Sequence, residues 1–114
     1  MDIEKLCVLE TNIDDLNPEL YEHVMTMLFE KGALDVFLVP IQMKKNRPAT
    51  LLRVLCRPED VGEMTHILFR ETSTLGIREQ TVDRHALPRK VAPVETPYGT
   101  VHVKIATLDG ETTK

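Results

Sequence analysis

The sequence predicts an α+β domain in which two helices cover one face of an antiparallel sheet. Strand-like apolar runs and two helical segments follow one another in the order β-α-β-β-α-β. The two helical segments also match each other at an offset of 40 residues, since Pro18-Glu19 corresponds to Pro58-Glu59 and Leu28-Phe29 to Leu68-Phe69. This order is that of the split βαβ, or ferredoxin-like, sandwich. Right-handed crossovers would place both helices on the same side of the sheet.

The first strand–helix–strand unit has clear boundary signals. Residues 6–13 read as a strand, and a helix then begins at Pro18 with Asn17 as its cap. Gly32 ends this helix, and residues 33–43 predict the next strand. The predicted buried stripe of the helix has a spacing of four and consists of Leu20, Val24 and Leu28.

The second unit repeats this plan. A polar turn over residues 44–48 leads into an apolar strand over residues 51–56. A helix then begins at Pro58 and ends within residues 71–74, and residues 75–82 predict a further strand. The predicted buried stripe of this helix consists of Val61, Met64 and Leu68.

Residues 87–114 predict a β-hairpin extension to a ferredoxin-like domain of residues 1–86. Residues 91–96 and 100–108 are strand-like and are joined by a turn, and apolar and polar residues alternate in the second of them. A lone hairpin is marginal in water, so we expect this one to dock on the main sheet or on another subunit.

The charge balance excludes some function classes and points to another. The chain has 114 residues, with 14 Lys and Arg against 18 Asp and Glu, so its net charge of −4 excludes a generic nucleic-acid binder. Residues 1–30 carry a net charge of −7, whereas residues 36–58 carry +5. Carboxylates and cations that meet in one cleft would suit a metal-bound phosphate, although the two segments could also lie on different faces.

A group of hard oxygen donors lies at the end of the first strand. Glu10, Asn12 and Asp14 share one face of an extended chain, and Asp15 follows in the loop. Such donors suit Mg²⁺ or Mn²⁺, especially a cation that a triphosphate already carries. The alternative is that Asp14, Asp15 and Asn17 are competing helix caps.

The candidate phosphate ligands are Lys44, Lys45 and Arg47 in the polar turn. Lysine offers a point charge and arginine a bidentate fork for phosphate, although a solvated hairpin tip has the same composition. The sequence contains no GxxxxGK[ST] motif, which excludes a P-loop. Any triphosphate must therefore be held by side chains and helix N-termini.

Hydroxyls and a cation after the second helix are further candidates for nucleotide binding, namely Thr72, Thr74 and Arg78. A frayed helix end would look the same. The four histidines are scattered and form no HxH motif, so they predict no transition-metal site, and we assign no catalytic residue.

Five segments, in this order and spacing, closely resemble the C-terminal half of the nickel insertion proteins that mature the nickel-pincer nucleotide cofactor of lactate racemase. The segments are ETNIDDLNPE at 10–19, GALDV at 32–36, MKKNRP at 43–48, FRETSTLGIR at 69–78 and ETPYG at 95–99. The resemblance covers essentially the whole chain.

The resemblance implies a CTP-dependent cyclometallase that inserts Ni(II) into pyridinium-3,5-bisthiocarboxylic acid mononucleotide. This half would bind CTP with Mg²⁺ or Mn²⁺, and nickel would be bound mainly outside this chain. We expect the N-terminal half of the same protein as a partner, and a further helical tail beyond residue 114. Whether the C-terminal half alone is an enzyme stays open.

The alternative is a non-catalytic ferredoxin-like regulatory or oligomerisation module. In either case we expect a homo-oligomer, because the hairpin and one sheet face would otherwise expose apolar surface. An acidic N-terminus, the lack of a long apolar run, and two cysteines in strand-like segments favour a reducing cytoplasmic location with no membrane partner.

Overall fold

The computed structural model describes residues 2–113. The helices are α1 (Pro18–Glu30) and α2 (Val61–Glu71), with short 3-10 turns at Lys44–Asn46 and Pro58–Asp60. The strands are β1 (Asp2–Ile13), β2 (Asp35–Met43), β3 (Arg47–Cys56), β4 (Arg78–Ala86), β5 (Arg89–Thr96), β6 (Gly99–Leu108) and β7 (Glu111–Thr112). The predicted order β-α-β-β-α-β is confirmed.

The first four strands form one sheet in the order β2-β3-β1-β4. Strand β3 is antiparallel to both of its neighbours, with Ile13 of β1 opposite Thr50 and Met43 of β2 opposite Arg47. The end of β1, the β2–β3 turn and the start of β3 therefore lie at the same end of the sheet. This juxtaposition positions the candidate site described below.

Both helices pack on one face of this sheet, as predicted. Val24, Leu28, Met64 and Leu68 are fully buried in a single core with the inward-facing residues of β1, β2 and β3. The prediction that Leu20 is buried is wrong, because its side chain is 45% exposed and Tyr21 is buried in its place. The inward stripe of α1 follows i, i+3, i+7 and not a strict spacing of four, since 3.6 residues make one turn.

The described residues divide into two compact units, one of residues 5–82 and one of residues 2–4 together with 83–113. The first unit therefore ends at residue 82, four residues before the boundary predicted after residue 86. In the second unit β5 and β6 form the predicted hairpin, and β7 pairs with the end of β6 to make a three-stranded sheet. Strand β7, which has only two residues, was not predicted.

The two cysteines lie opposite each other on β1 and β3 and are buried as free thiols. Burial raises the pKa of the Cys56 thiol to about 11, so this side chain stays neutral at physiological pH. Among the described residues there is no helix long and apolar enough to span a bilayer.

Candidate functional site

A cavity of about 370 Å³ lies at the end of the sheet where β1 ends and the β2–β3 turn begins. Its lining consists of Asp14, Met43, Lys44, Lys45 and Arg47. The predicted phosphate ligands and one predicted metal ligand thus meet within a single chain. The sequence left open whether the acidic and basic segments share a cleft or lie on different faces. The antiparallel pairing of β1 with β3 brings Asp14 to the basic turn.

The backbone of the turn presents the cations on a tight curve. Lys45 and Asn46 both have left-handed φ angles, of 61° and 58°. This conformation is uncommon for a residue with a side chain, although asparagine adopts it more readily than most. Gln42 Nε2 donates a hydrogen bond of 2.6 Å to Asn46 Oδ1, which ties the turn to the strand before it.

The cavity is electrostatically suited to a polyanion. Lys44, Lys45 and Arg47 make no ion pair with any carboxylate of residues 2–113, so their charges are available to a ligand. Asp14 is the one carboxylate of the lining. Three cations beside one hard oxygen ligand match the needs of a phosphate chain that carries a divalent cation.

Glu10 does not line the basic cavity and instead pairs with two arginines. Arg53 donates to Glu10 Oε1 from Nε at 3.0 Å and from Nη2 at 2.5 Å, and Arg78 Nη2 lies 3.5 Å from Glu10 Oε2. Arg53 also lies over the ring of Phe37, 5.6 Å from its centroid. The hydrogen bonds and the charges of the two arginines hold the pKa of Glu10 below its ordinary value, against the effect of its partial burial.

Asn12 and Asp15 also have protein partners. Arg78 Nη2 donates to Asn12 Oδ1 at 2.9 Å, and Ser73 donates its hydroxyl to Asp15. Within the described part of the chain, no three His, Cys, Asp or Glu side chains are grouped so that they could hold a metal ion. Glu10 and Asn12 point to the sheet face away from the helices, where arginines meet them, so the four predicted metal ligands do not form one cluster.

The predicted nucleotide ligands beyond α2 are likewise engaged elsewhere. Thr72 Oγ1 donates to the carbonyl of Leu68 at 2.6 Å, which closes the last turn of α2. Thr74 Oγ1 hydrogen-bonds Thr11 Oγ1 at 2.5 Å. Together with Arg78, these two threonines lie outside the lining of the basic cavity. Their bonds also hold residues 72–77 as a loop, so β4 begins at Arg78 and not at residue 75 as predicted.

Sequence reasoning overlooked Thr11, which is the anchor of this loop. It is fully buried, and its hydroxyl bonds both Thr74 Oγ1 and the carbonyl of Gly76, the latter at 2.9 Å. The sequence does contain a sign of this role. Thr11 is the one hydroxyl-bearing residue among the alternating buried positions of β1, which are Cys7, Leu9, Thr11 and Ile13. A buried polar group of this kind requires a partner.

Replacing Glu10 by Gln is expected to lower the free energy of unfolding at pH 7 by about 1 kcal/mol, between typical values for exposed ion pairs and for charge-assisted hydrogen bonds. The pKa of Glu10 is lower in the folded protein than in the unfolded chain. Its contribution to the free energy of unfolding is therefore complete above pH 4.5, and it is lost as the pH falls through the folded-state pKa. Urea unfolding from pH 7 to pH 3 should therefore show the gap between the two proteins closing in acid.

Glu22→Gln, on the exposed face of α1, is the matched control and should change stability little at any pH. A Glu10→Gln variant that differs from the parent by the same amount at pH 7 and pH 3 would contradict this account of the arginine network.

The fold and the cavity define a class: a small ferredoxin-like domain with a cationic cavity at one end of its sheet. Comparison with known proteins makes the assignment specific. The family model described as "Nickel insertion protein" matches residues 1–114, the whole chain. The chain therefore belongs to the nickel insertion protein family.

Individual relatives agree with this assignment. A protein of Syntrophobacter fumaroxidans is 59% identical over 100 residues, which are 88% of this chain and 26% of that protein. The pyridinium-3,5-bisthiocarboxylic acid mononucleotide nickel insertion protein of Acetivibrio thermocellus is 50% identical over 101 residues, 89% of this chain and 25% of its own. The chain thus spans about a quarter of the length of the curated relatives it matches.

A solved structure shares the fold. It is that of LarC2, the C-terminal domain of a cyclometallase involved in the synthesis of the NPN cofactor of lactate racemase, in its apo form. The TM-score is 0.90 at 42% identity, and the match covers 98% of this chain and 78% of that one.

Proposed function

We propose that this chain binds CTP together with Mg²⁺ or Mn²⁺, as the C-terminal part of a nickel insertion protein. The observation that carries the proposal is the cavity at the end of the sheet, where three cations without ion-pair partners in residues 2–113 lie beside Asp14. Family membership and the likeness to a cyclometallase domain support it.

Each lining residue has a role in this proposal. Lys44 and Lys45 neutralise the phosphates as point charges, and Arg47 donates bidentate hydrogen bonds to two phosphate oxygens. Asp14 provides a hard oxygen ligand to the cation that the triphosphate carries. A single carboxylate fits this task, because Mg²⁺ is usually held by one or two carboxylates plus substrate phosphates and water.

In the whole protein, the proposed role of this part is to present CTP for the insertion of Ni(II) into pyridinium-3,5-bisthiocarboxylic acid mononucleotide. Nickel is the cargo of that reaction, and the proposal assigns its binding mainly to the remainder of the protein. The name of the Acetivibrio thermocellus relative, which specifies this mononucleotide, supports the choice of substrate.

Calorimetric titration tests the nucleotide proposal directly. We expect CTP to bind in the presence of Mn²⁺, with weaker binding of CTP alone and of ATP with Mn²⁺. A stable oligomer that binds none of these ligands would contradict the proposal and favour the alternative, a ferredoxin-like regulatory or oligomerisation module.

We also propose that the chain forms a homo-oligomer through the sheet face that points away from the helices. Phe37 and Val39 on this face are 37% and 38% exposed, next to half-buried Leu51 and Leu55. Light scattering at tens of micromolar should give a mass that is a multiple of 13.0 kDa. Phe37→Ser with Val39→Ser should lower that mass, whereas a monomeric parent would contradict the proposal.

A further inference from the structure

The two cysteines of the chain form a pair across the sheet. Cys7 of β1 and Cys56 of β3 are direct partners in the antiparallel ladder. Both side chains point to the face that the helices cover, where they belong to the same hydrophobic core. They are the only cysteines in the sequence, and both are free thiols. The nucleotide proposal gives neither of them a role.

Directly paired residues of an antiparallel sheet have the separation that a disulfide needs. Their Cα atoms lie about 4.5–5.5 Å apart, depending on whether the pair is hydrogen-bonded. Disulfides span Cα separations of about 4.4–6.8 Å, so either kind of pair is within range. The Cβ atoms of such a pair need only a slight approach. The electrostatic effect of Cys7, which is second to burial in raising the pKa of the Cys56 thiol, agrees with this proximity.

We propose that Cys7 and Cys56 are a site of reversible oxidative modification, at which a peroxide converts the two thiols to a disulfide. Cys56 is the last residue of β3, so the pair lies at the end of the β1–β3 ladder. The end of a ladder opens more often than its middle. Such opening gives a molecule as small as hydrogen peroxide access to thiols that are otherwise buried.

The reaction begins at Cys7. Burial keeps the Cys56 thiol neutral at physiological pH because it raises the pKa, and a neutral thiol is a poor nucleophile. The Cys7 thiolate attacks one oxygen of the peroxide, the O–O bond breaks, and the second oxygen leaves as hydroxide, which gives a sulfenic acid. The adjacent Cys56 sulfur then attacks the Cys7 sulfur, and the sulfenic oxygen leaves with the Cys56 proton as water. Overall, two thiols and one hydrogen peroxide give one disulfide and two molecules of water.

The disulfide fixes the strand register on which the candidate site depends. It closes a loop of residues 7–56, which contains Asp14, α1 and the basic turn. Strands β1 and β3 then cannot slip past each other, and constraint of the unfolded chain stabilises the fold. The bond lies at the opposite end of this strand pair from Ile13 and Thr50, so oxidation leaves the lining of the basic cavity unaltered.

Peroxide treatment of the folded chain tests the site. After treatment, iodoacetamide in urea blocks the remaining thiols, and trypsin digests the protein without reductant. We expect residues 6–31 to be joined to residues 54–70, in a protein that migrates as a single chain on non-reducing electrophoresis. Dithiothreitol should separate the two peptides. The melting temperature should rise by about 10 °C on oxidation and return to the parent value with dithiothreitol.

Single-cysteine variants provide the matched controls. Cys7→Ala and Cys56→Ala cannot form the bond, so peroxide should not raise the melting temperature of either, and circular dichroism verifies that each is folded. Two free thiols in the treated parent, separate sulfinic acids, or a cross-link only between chains would overturn the proposal. Stabilisation of a single-cysteine variant by peroxide would also overturn it. The peptide pair from the parent decides the question even where a variant fails to fold.

Discussion

Replacing Lys44, Lys45 and Arg47 together by Ala is expected to weaken CTP binding by about two to four powers of ten while the fold stays intact. Each charge-assisted hydrogen bond contributes roughly 1.5–3 kcal/mol, and the estimate assumes that two such contacts are lost. The fold is expected to tolerate the change because the three side chains are exposed and lie outside the core. Titration calorimetry with Mn²⁺ and CTP measures the loss, and thermal unfolding verifies the fold.

The hairpin unit offers a closely matched control. Arg89, Lys90 and Lys104 are one arginine and two lysines that also line a surface cavity, of about 250 Å³. Replacing these three by Ala removes the same charge, so it reproduces any general electrostatic effect on an anionic ligand. We expect that variant to bind CTP within a few-fold of the parent. Equal losses in both triple variants would show that net charge, and not the turn, governs binding.

Asp14→Asn is expected to abolish the metal dependence of nucleotide binding without abolishing binding itself. The amide keeps the size of the side chain but removes the charge that attracts a divalent cation. If Mn²⁺ strengthens CTP binding in the parent through this one contact, the stimulation should fall by about one to two powers of ten. Titrations with and without Mn²⁺ give the ratio directly.

Asp15→Asn separates the two adjacent acids. The sequence offers both as metal ligands, but Asp15 accepts a hydrogen bond from Ser73 and is not in the lining of the basic cavity. We therefore expect Asp15→Asn to retain the stimulation by Mn²⁺. Loss of the metal effect in this variant, with the effect intact in Asp14→Asn, would show that the ligand has been assigned to the wrong carboxylate.

The fold was predictable from the sequence because local signals agree with one another. Asn17 accepts a hydrogen bond from the backbone N–H of Glu19 and caps α1 as predicted, and the positive φ of Gly32 fits the glycine after that helix. The failure at Leu20 has a simple cause. Leu20 and Tyr21 are both apolar neighbours on the helix, and only packing against the sheet decides which of them is buried.

The site was predictable only in part. Alternation along β1 correctly places Glu10 and Asn12 on one face, but it cannot show that Arg53 of β3 stands directly opposite Glu10. Because of the register between strands, the two candidate metal ligands Glu10 and Asn12 hydrogen-bond arginines instead. The same register brings Asp14 to the basic turn. Both outcomes depend on pairings between residues about 30–65 positions apart, which local patterns do not encode.

Paramagnetic NMR of the Mn²⁺–CTP complex tests the central claim most directly, because Mn²⁺ broadens the signals of nuclei near it and the diamagnetic Mg²⁺–CTP complex provides the reference. We predict selective loss of backbone amide signals from residues 13–16 and 44–47. Broadening centred on Glu10 and Asn12, or on residues 89–91 of the hairpin unit, with residues 44–47 unaffected, would contradict the assignment of the cavity at Asp14 and the basic turn as the nucleotide site.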